Sequence, residues 1–259
     1  WFVFKAMSKD VKVAMTGTGG DELFGNYGKW RAYEHPVDFY RGLKRFFRQG
    51  GNLPDLLKFP RGCLYHPAYY TDRKKREVLF ASDFLKNVQE SSLSLISQQW
   101  DRSLSPRDAI TNIDFGHQLP EEFLFMTDRF SMAQSLEART PFLDKLFVEK
   151  MLAIPSQWRT NRANLKYLFR KAVAPLLPNG VLGASKKGFV LPMSKWLRGP
   201  LKPEIKALSQ RRLIQRQGLF QPDLRERLII PFLNGTCDYT EQIWTWWMFQ
   251  RWWKLTIES

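Results

Sequence analysis

The chain has 259 residues, 44% of them hydrophobic and 25% charged, which is the balance of a globular protein and excludes a disordered one. Its formal net charge is +15, from 40 Lys and Arg against 25 Asp and Glu. Such an excess attracts phosphorylated ligands, nucleic acid or acidic membrane. Here it is dispersed, with small clusters only at Arg73-Lys74-Lys75-Arg76 and Arg211-Arg212, and it reads as a solvated basic surface. Cys63 and Cys237 are far apart, His35, His66 and His117 are the only histidines, and no CxxC or Cys/His cluster occurs, so neither a disulfide framework nor a zinc site is expected. A reducing, cytoplasmic setting fits that usage.

The opening Trp1-Phe2-Val3-Phe4 is apolar but short and has no basic leader, so it is not a secretory signal. No run is long enough to span a membrane. A start at Trp1 rather than Met points to a piece of a longer chain. Val11-Lys12-Val13-Ala14-Met15 alternates and then turns apolar, which predicts a short strand. It runs into the loop Thr16-Gly17-Thr18-Gly19-Gly20. Asp21-Glu22 then opens a helix expected to continue through Leu23, Phe24 and Tyr27, since acidic residues suit the positive end of the helix dipole. Strand, glycine loop and helix together form the arrangement of an α/β nucleotide site.

The remainder reads as helical. Ser105-Pro106-Arg107-Asp108 is a capped helix start. Pro120-Glu121-Glu122 predicts another start, followed by Phe123, Phe125, Met126, Phe130, Ala133 and Leu136 near helical spacing. Leu146 to Ile154 is a helix stopped by Pro155, with Asp144 as its N-cap, and Leu165 to Ala174 is one stopped by Pro175. Residues 183–199 lack periodicity and read as a loop. Helices are expected near 204–216, 222–234 and 240–255. The last carries Trp244, Trp246, Trp247, Trp252 and Trp253, whose large rings suit core packing.

The segment Thr16 to Gly25 is the strongest chemical signal. Glycines let backbone N–H groups approach an anion, and the helix start adds positive potential. Asp21 could then hold magnesium, which prefers oxygen ligands and phosphates. A glycine loop alone is equally a tight structural turn, and a lesser alternative makes Asp21 only a helix cap. The acidic pair directly after the glycines narrows the pattern.

At this point the segment resembles the SGxGGDELFGGY motif of the asparagine synthase family. Asp128-Arg129-Phe130-Ser131-Met132-Ala133 through Glu137-Ala138-Arg139-Thr140-Pro141-Phe142-Leu143-Asp144 is similar to its DRxSMAxSLExRxPFLD signature. Lys186-Lys187-Gly188-Phe189, with Pro192 and Trp196-Leu197, is similar to a third family segment. The three occur in family order. The resemblance implies an α/β fold of the ATP-pyrophosphatase, Rossmann-like type, truncated here and mostly α-helical, with residues 1–259 forming the C-terminal part of a synthetase domain. It implies ATP and magnesium as cofactors and adenylation of a carboxylate, usually the aspartate side chain. Ammonia from a glutaminase domain then attacks the adenylate to give asparagine, AMP and pyrophosphate. A soluble enzyme without nucleic-acid or membrane partners is expected, with a homodimer as its assembly.

The resemblance also implies roles. Thr16, Gly17, Gly19 and Gly20 would contact the nucleotide, and Asp21 would engage magnesium and pyrophosphate, supported by Glu22. Lys186 would stabilise charge on the phosphate and acyl intermediate. Arg129 and Arg139 would hold anionic substrate groups, although Arg139 reads equally as a buried partner of Glu137 or Asp144, and a lesser alternative makes Lys186 a surface lysine. Thr18 stands where family members carry Glu or Asp, a residue with a proton-handling role, and threonine has no titratable group near neutral pH. That departure leaves room for a relative acting on a sugar acid or another metabolite. The pyrophosphate loop SGGxDS and an N-terminal cysteine nucleophile are both absent, so neither the loop nor a glutaminase domain is expected in this stretch, and the stretch is expected to be inactive alone. A basic nucleic-acid-binding module rests on charge alone, without an aromatic–basic recognition motif.

Overall fold

The computed structural model describes residues 1–65, 73–88, 92–178, 180–183 and 191–258, apart from the side chains at 73, 74, 92 and 95. The expected loop lysine, Lys186, and the rest of Lys186–Phe189 lie outside these residues. The chain divides into two compact units. The first comprises Trp1–Lys44, Leu57–Ala68 and Ser92–Ser185, and the second Arg45–Leu56, Tyr69–Ser91 and Lys186–Ser259.

The first unit begins with helix α1 (Phe2–Met7) and strand β1 (Val13–Met15). β1 is two residues shorter than its apolar pattern. It pairs in parallel with β2 (Glu137–Arg139), with Ala14 opposite Ala138. A parallel pair needs a long crossover, and everything between Thr16 and Leu136 supplies it. The Thr16 N–H donates to Arg139 O at 2.8 Å, so the ladder carries on to the first residue of the glycine loop.

Helix α2 (Gly20–Leu23) is much shorter than the expected helix through Tyr27. Gly25 ends it with φ +66, and a Cβ there would lie 2.5 Å from Thr160 Cγ2. A chain turning left-handed in so close a contact must leave the helix. Helix α3 (Pro106–Ile113) starts as its sequence predicts, with Ser105 Oγ accepting from the Asp108 N–H at 3.2 Å. No new helix begins at Pro120. α3 runs directly into a π-helical segment, Asp114–Leu124, with Pro120 inside it, and this continues as α4 (Phe125–Met132). The wider π turn accommodates a proline that an α-turn would reject.

After β2, a 3₁₀ turn (Pro141–Leu143) precedes α5 (Lys145–Ala153), whose cap is the expected one: Asp144 Oδ1 accepts from the Phe147 N–H at 3.0 Å. Helix α6 (Tyr167–Val173) begins later than expected, because Lys166 at φ 56 is left-handed and cannot be a helical residue. The core of this unit includes Trp30, Tyr65, Ile96, Trp100, Ile110 and Ile113. A separate aromatic cluster joins Phe24 to Phe142, Phe147 and Phe169, with ring centroids 5.2–6.5 Å apart.

The second unit contains α7 (Met193–Arg198), inside the stretch expected to be a loop. Tertiary contacts hold it, since Leu197 is fully buried and Arg198 donates to Phe232 O and Cys237 O, each at 2.9 Å. The helix expected at 204–216 is two, α8 (Lys202–Leu208) and α9 (Arg211–Gln217). That expected at 222–234 is a π turn, Arg225–Ile229, followed by an α turn, Ile230–Leu233. Helix α10 (Thr240–Thr256) forms as predicted, with Trp246 and Trp247 buried among Leu197, Ile205, Ile214 and Phe232. Trp252 is half exposed.

Candidate functional site

The glycine loop is shaped on one side by the turn after β2. A Cβ on Gly19, at φ +89, would lie 2.3 Å from Leu143 Cδ2, and one on Gly20 would lie 3.2 Å from the Phe142 ring. Two of the three matched sequence segments therefore meet physically: Phe142 and Leu143 fill the space that the glycines leave. Gly17 differs. It is exposed, its φ is ordinary, and nothing lies within 4 Å of a Cβ placed on it.

Gly17 opens onto a cavity of ≈ 340 Å³ lined by Phe4, Gly17, Thr18, Gly19, Asp21, Glu22, Tyr27, Phe123, Met126, Thr127 and Phe130. The π-helical segment and α4 supply one wall. This explains why Met126 and Phe130, apolar and at helical spacing, remain 38% and 41% exposed. Thr16 Oγ1 donates to Thr18 Oγ1 at 3.2 Å, linking the two hydroxyls of the loop.

Five of the sequence-predicted residues (Gly17, Thr18, Gly19, Asp21 and Glu22) thus share one wall. Thr16 and Gly20 flank them in the loop. Arg129 and Arg139 do not line the cavity. Arg129 is exposed, with its guanidinium 5.2 Å from the Phe125 ring centroid. Arg139 is exposed too, and its Nε donates to Glu137 Oε1 at 2.9 Å, so Glu137 is its partner as one reading expected, but at the surface and not buried.

Asp21 is partly exposed. Its Oδ2 accepts from Asn26 Nδ2 at 2.8 Å, and its Oδ1 is in ion-pair contact with the Lys166 ammonium. Glu22 is buried, and Tyr27 Oη donates to its Oε1 at 2.8 Å. Burial pushes the Glu22 carboxyl above the usual range, and the Tyr27 hydrogen bond offsets part of the rise.

Behind Glu22 lies a buried ionic cluster. Lys29 Nζ donates to Asp114 Oδ1 at 2.5 Å, to Gln118 Oε1 at 2.7 Å and to Tyr65 Oη at 3.0 Å, while Tyr65 Oη donates to Asp114 Oδ1. Burial lowers Lys29 and raises Asp114 relative to their ordinary values, and the contact between them opposes both shifts. A second cavity of ≈ 20 Å³, bordered by Glu22, Tyr27, Lys29, Asp114 and Arg159, is large enough for about one water.

These residues fit a nucleotide with magnesium. Gly17 leaves open the space a close-lying anion needs, and Asp21 and Glu22 supply hard oxygen donors at the cavity wall. Among the described residues no group of three or more His, Cys, Asp or Glu side chains could hold a metal. A magnesium ion there would complete its shell with phosphate and water oxygens, as that ion commonly does. Sequence reasoning missed Lys166, Tyr27 and the aromatic wall. Lys166 was hidden inside an apparent helix, and the wall residues carried only a packing signal.

The sequence matches a known family and its members. The family model for asparagine synthase matches residues 1–254. Asparagine synthetase [glutamine-hydrolyzing] 1 of Bacillus subtilis (strain 168) is 28% identical over 272 residues, covering 100% of this chain and 43% of that protein. A Mycobacterium bovis protein, named provisionally as a glutamine-hydrolyzing asparagine synthetase, is 28% identical over 277 residues, with 100% and 41% covered. Amidase chyE of Penicillium rubens is 29% identical over 97 residues, 35% of this chain and 14% of that protein. The chain therefore spans about two fifths of the length of the first two relatives. No solved structure matches. With glycine loop and acidic pair at one cavity, the Phe142-Leu143 turn packed against that loop, and the family model covering nearly every residue, the chain belongs to the asparagine synthase family.

Proposed function

We propose that the protein carrying this chain makes an amide by ATP-dependent activation of a carboxylate, with the aspartate side chain as acceptor and ammonia, released from glutamine by a separate glutaminase domain, as nucleophile. The observation that carries this reading is Gly17, whose open face adjoins a cavity bearing the Asp21 and Glu22 carboxyls. An acceptor carboxylate is a poor electrophile until adenylated. The fold must therefore bring two anions together and tolerate the charge that builds on the phosphate.

The residues divide that work. The backbone of Thr16, Gly17, Gly19 and Gly20 forms the bed for the nucleotide, where N–H groups face anionic oxygens. Asp21, supported by Glu22, holds the magnesium. Magnesium when bound neutralises phosphate charge. Thr18, hydroxyl-bonded to Thr16, orients a water or the acceptor rather than exchanging protons. Lys186 is assigned to the charge developing on phosphate and acyl oxygens. Arg129 and Arg139 are assigned to anionic groups of the acceptor, and in Arg139 that role requires release from Glu137.

The test uses the protein at its full natural length with magnesium-ATP, ammonia and aspartate, following AMP and asparagine together. Stoichiometric appearance of both is expected. AMP that never depends on aspartate would overturn the choice of acceptor and move the search to other carboxylates, sugar acids among them.

A further inference from the structure

Helix α2 has only four residues, and a helix that short does not hold its place without outside contacts. Its two ends have separate anchors. At the N-terminal end, the Leu143 and Phe142 side chains pack on Gly19 and Gly20. At the C-terminal end, Arg159 Nη1 donates to Leu23 O at 2.9 Å, and Thr160 Oγ1 donates to Gly25 O at 3.1 Å. Asp21 and Glu22 lie between these anchors.

Arg159 is 2% exposed and spends three nitrogens on three different segments. Besides the Leu23 carbonyl, its Nε donates to Ile154 O at 3.1 Å, and its Nη2 pairs with Asp108 Oδ1. Asp108 stands in the first turn of α3. Its Oδ2 accepts from Ser105 Oγ at 2.6 Å and from Ser156 Oγ at 2.9 Å. Beside it, Arg107 Nη1 donates to Thr160 O at 3.1 Å. From Asp108 the chain runs through α3 and the π-helical segment into α4, which carry Phe123, Met126 and Phe130 to the cavity. Arg159 thus ties the end of α2 to the elements that build the aromatic wall. A cation suits the C-terminal end of a helix. A planar guanidinium also holds three acceptors in fixed directions, which an ammonium cannot. Neither Arg159 nor Thr160 lines the larger cavity.

We propose that Arg159, with Thr160 beside it, is a positioning residue that holds Asp21 and Glu22 in register for a magnesium ion bound with its nucleotide. This rests on the proposed role of those carboxyls at the metal. Magnesium demands near-ideal octahedral geometry, so a small displacement of its ligands matters. Residues that touch no metal yet orient its ligands set affinity in this way. The glycines keep their own anchor at Phe142 and Leu143. Loss of the Arg159 clamp therefore displaces the carboxyls and leaves the backbone bed for the nucleotide in place.

Calorimetric titration of the full-length protein with two probes tests this: magnesium-ATP, and ATP with a chelator in place of magnesium. Arg159→Lys keeps the charge and loses the planar fork. It should weaken magnesium-ATP about tenfold and metal-free ATP less than about twofold. General loosening of the fold would move both probes together. Thr160→Val keeps the shape packed on Gly25 and removes only the hydroxyl donor, so magnesium-ATP should weaken about threefold, the loss of one hydrogen bond. If Arg159→Lys does not fold, Thr160→Val decides. Equal weakening of both probes, or no change in either, overturns the proposal. Asp21→Asn and Glu22→Gln separate it from the reading beneath. If neither weakens magnesium-ATP, the metal role of the carboxyls fails and the positioning role with it. If they weaken it while Arg159→Lys and Thr160→Val do not, the positioning role alone fails.

Discussion

Two glycines two residues apart serve opposite ends. Gly19 is required by the fold, because its φ of +89 and the 2.3 Å approach of Leu143 leave no room for a side chain. Gly17 has neither constraint. Gly19→Ala should therefore cost about 2–5 kcal/mol of stability, combining left-handed strain with overpacking. Gly17→Ala should change stability by less than about 0.5 kcal/mol, as an exposed substitution does, yet weaken magnesium-ATP binding. Thermal melts beside nucleotide titrations of the two variants test this, and a Gly17→Ala protein that binds nucleotide normally would contradict the assignment. In the sequence both residues were visible as one glycine loop. Which glycine the packing needs and which it leaves open depends on Leu143, more than a hundred residues away.

At the scale of elements, the junction between α3 and the π-helical segment is pinned by the Lys29–Asp114 pair, whose side chains are 2% and 4% exposed. Removing one member strands the other as a buried charge. Lys29→Met should destabilise by about 3–5 kcal/mol, and Lys29→Met with Asp114→Leu should recover more than half of the loss. Urea unfolding of the single and double variants measures this, and additive losses in the double variant would show that the two residues act separately. The sequence contained no sign of this pair, since residues 85 apart have no periodic relation. It did contain the caps at Ser105 and Asp144, because a cap reaches only three residues along the chain. It misjudged Pro120, which marks a helix start by local rules but lies within a helix that tertiary contacts carry through.

At the scale of the molecule, each unit has its own buried core, and that of the second is built on α10. Trp246 is 1% exposed and Trp252 49%. Trp246→Ala should cost about 3–5 kcal/mol, as truncation of a buried aromatic does, and Trp252→Ala less than about 1 kcal/mol. Comparable losses in chemical denaturation would mean that the outer face of α10 is packed in solution.

The sequence by itself determined the family, the short strand feeding a glycine loop, the mostly helical character and the acidic pair at the loop's end. Each of these is written in contiguous residues, and local sterics and hydrogen bonding act over such distances. Only the tertiary structure decided that Phe142 and Leu143 back the loop, that Arg129 and Arg139 stand outside the cavity, and that Lys166 holds Asp21. Those relations join residues far apart in the chain, and it is packing, not propensity, that selects which distant side chains meet.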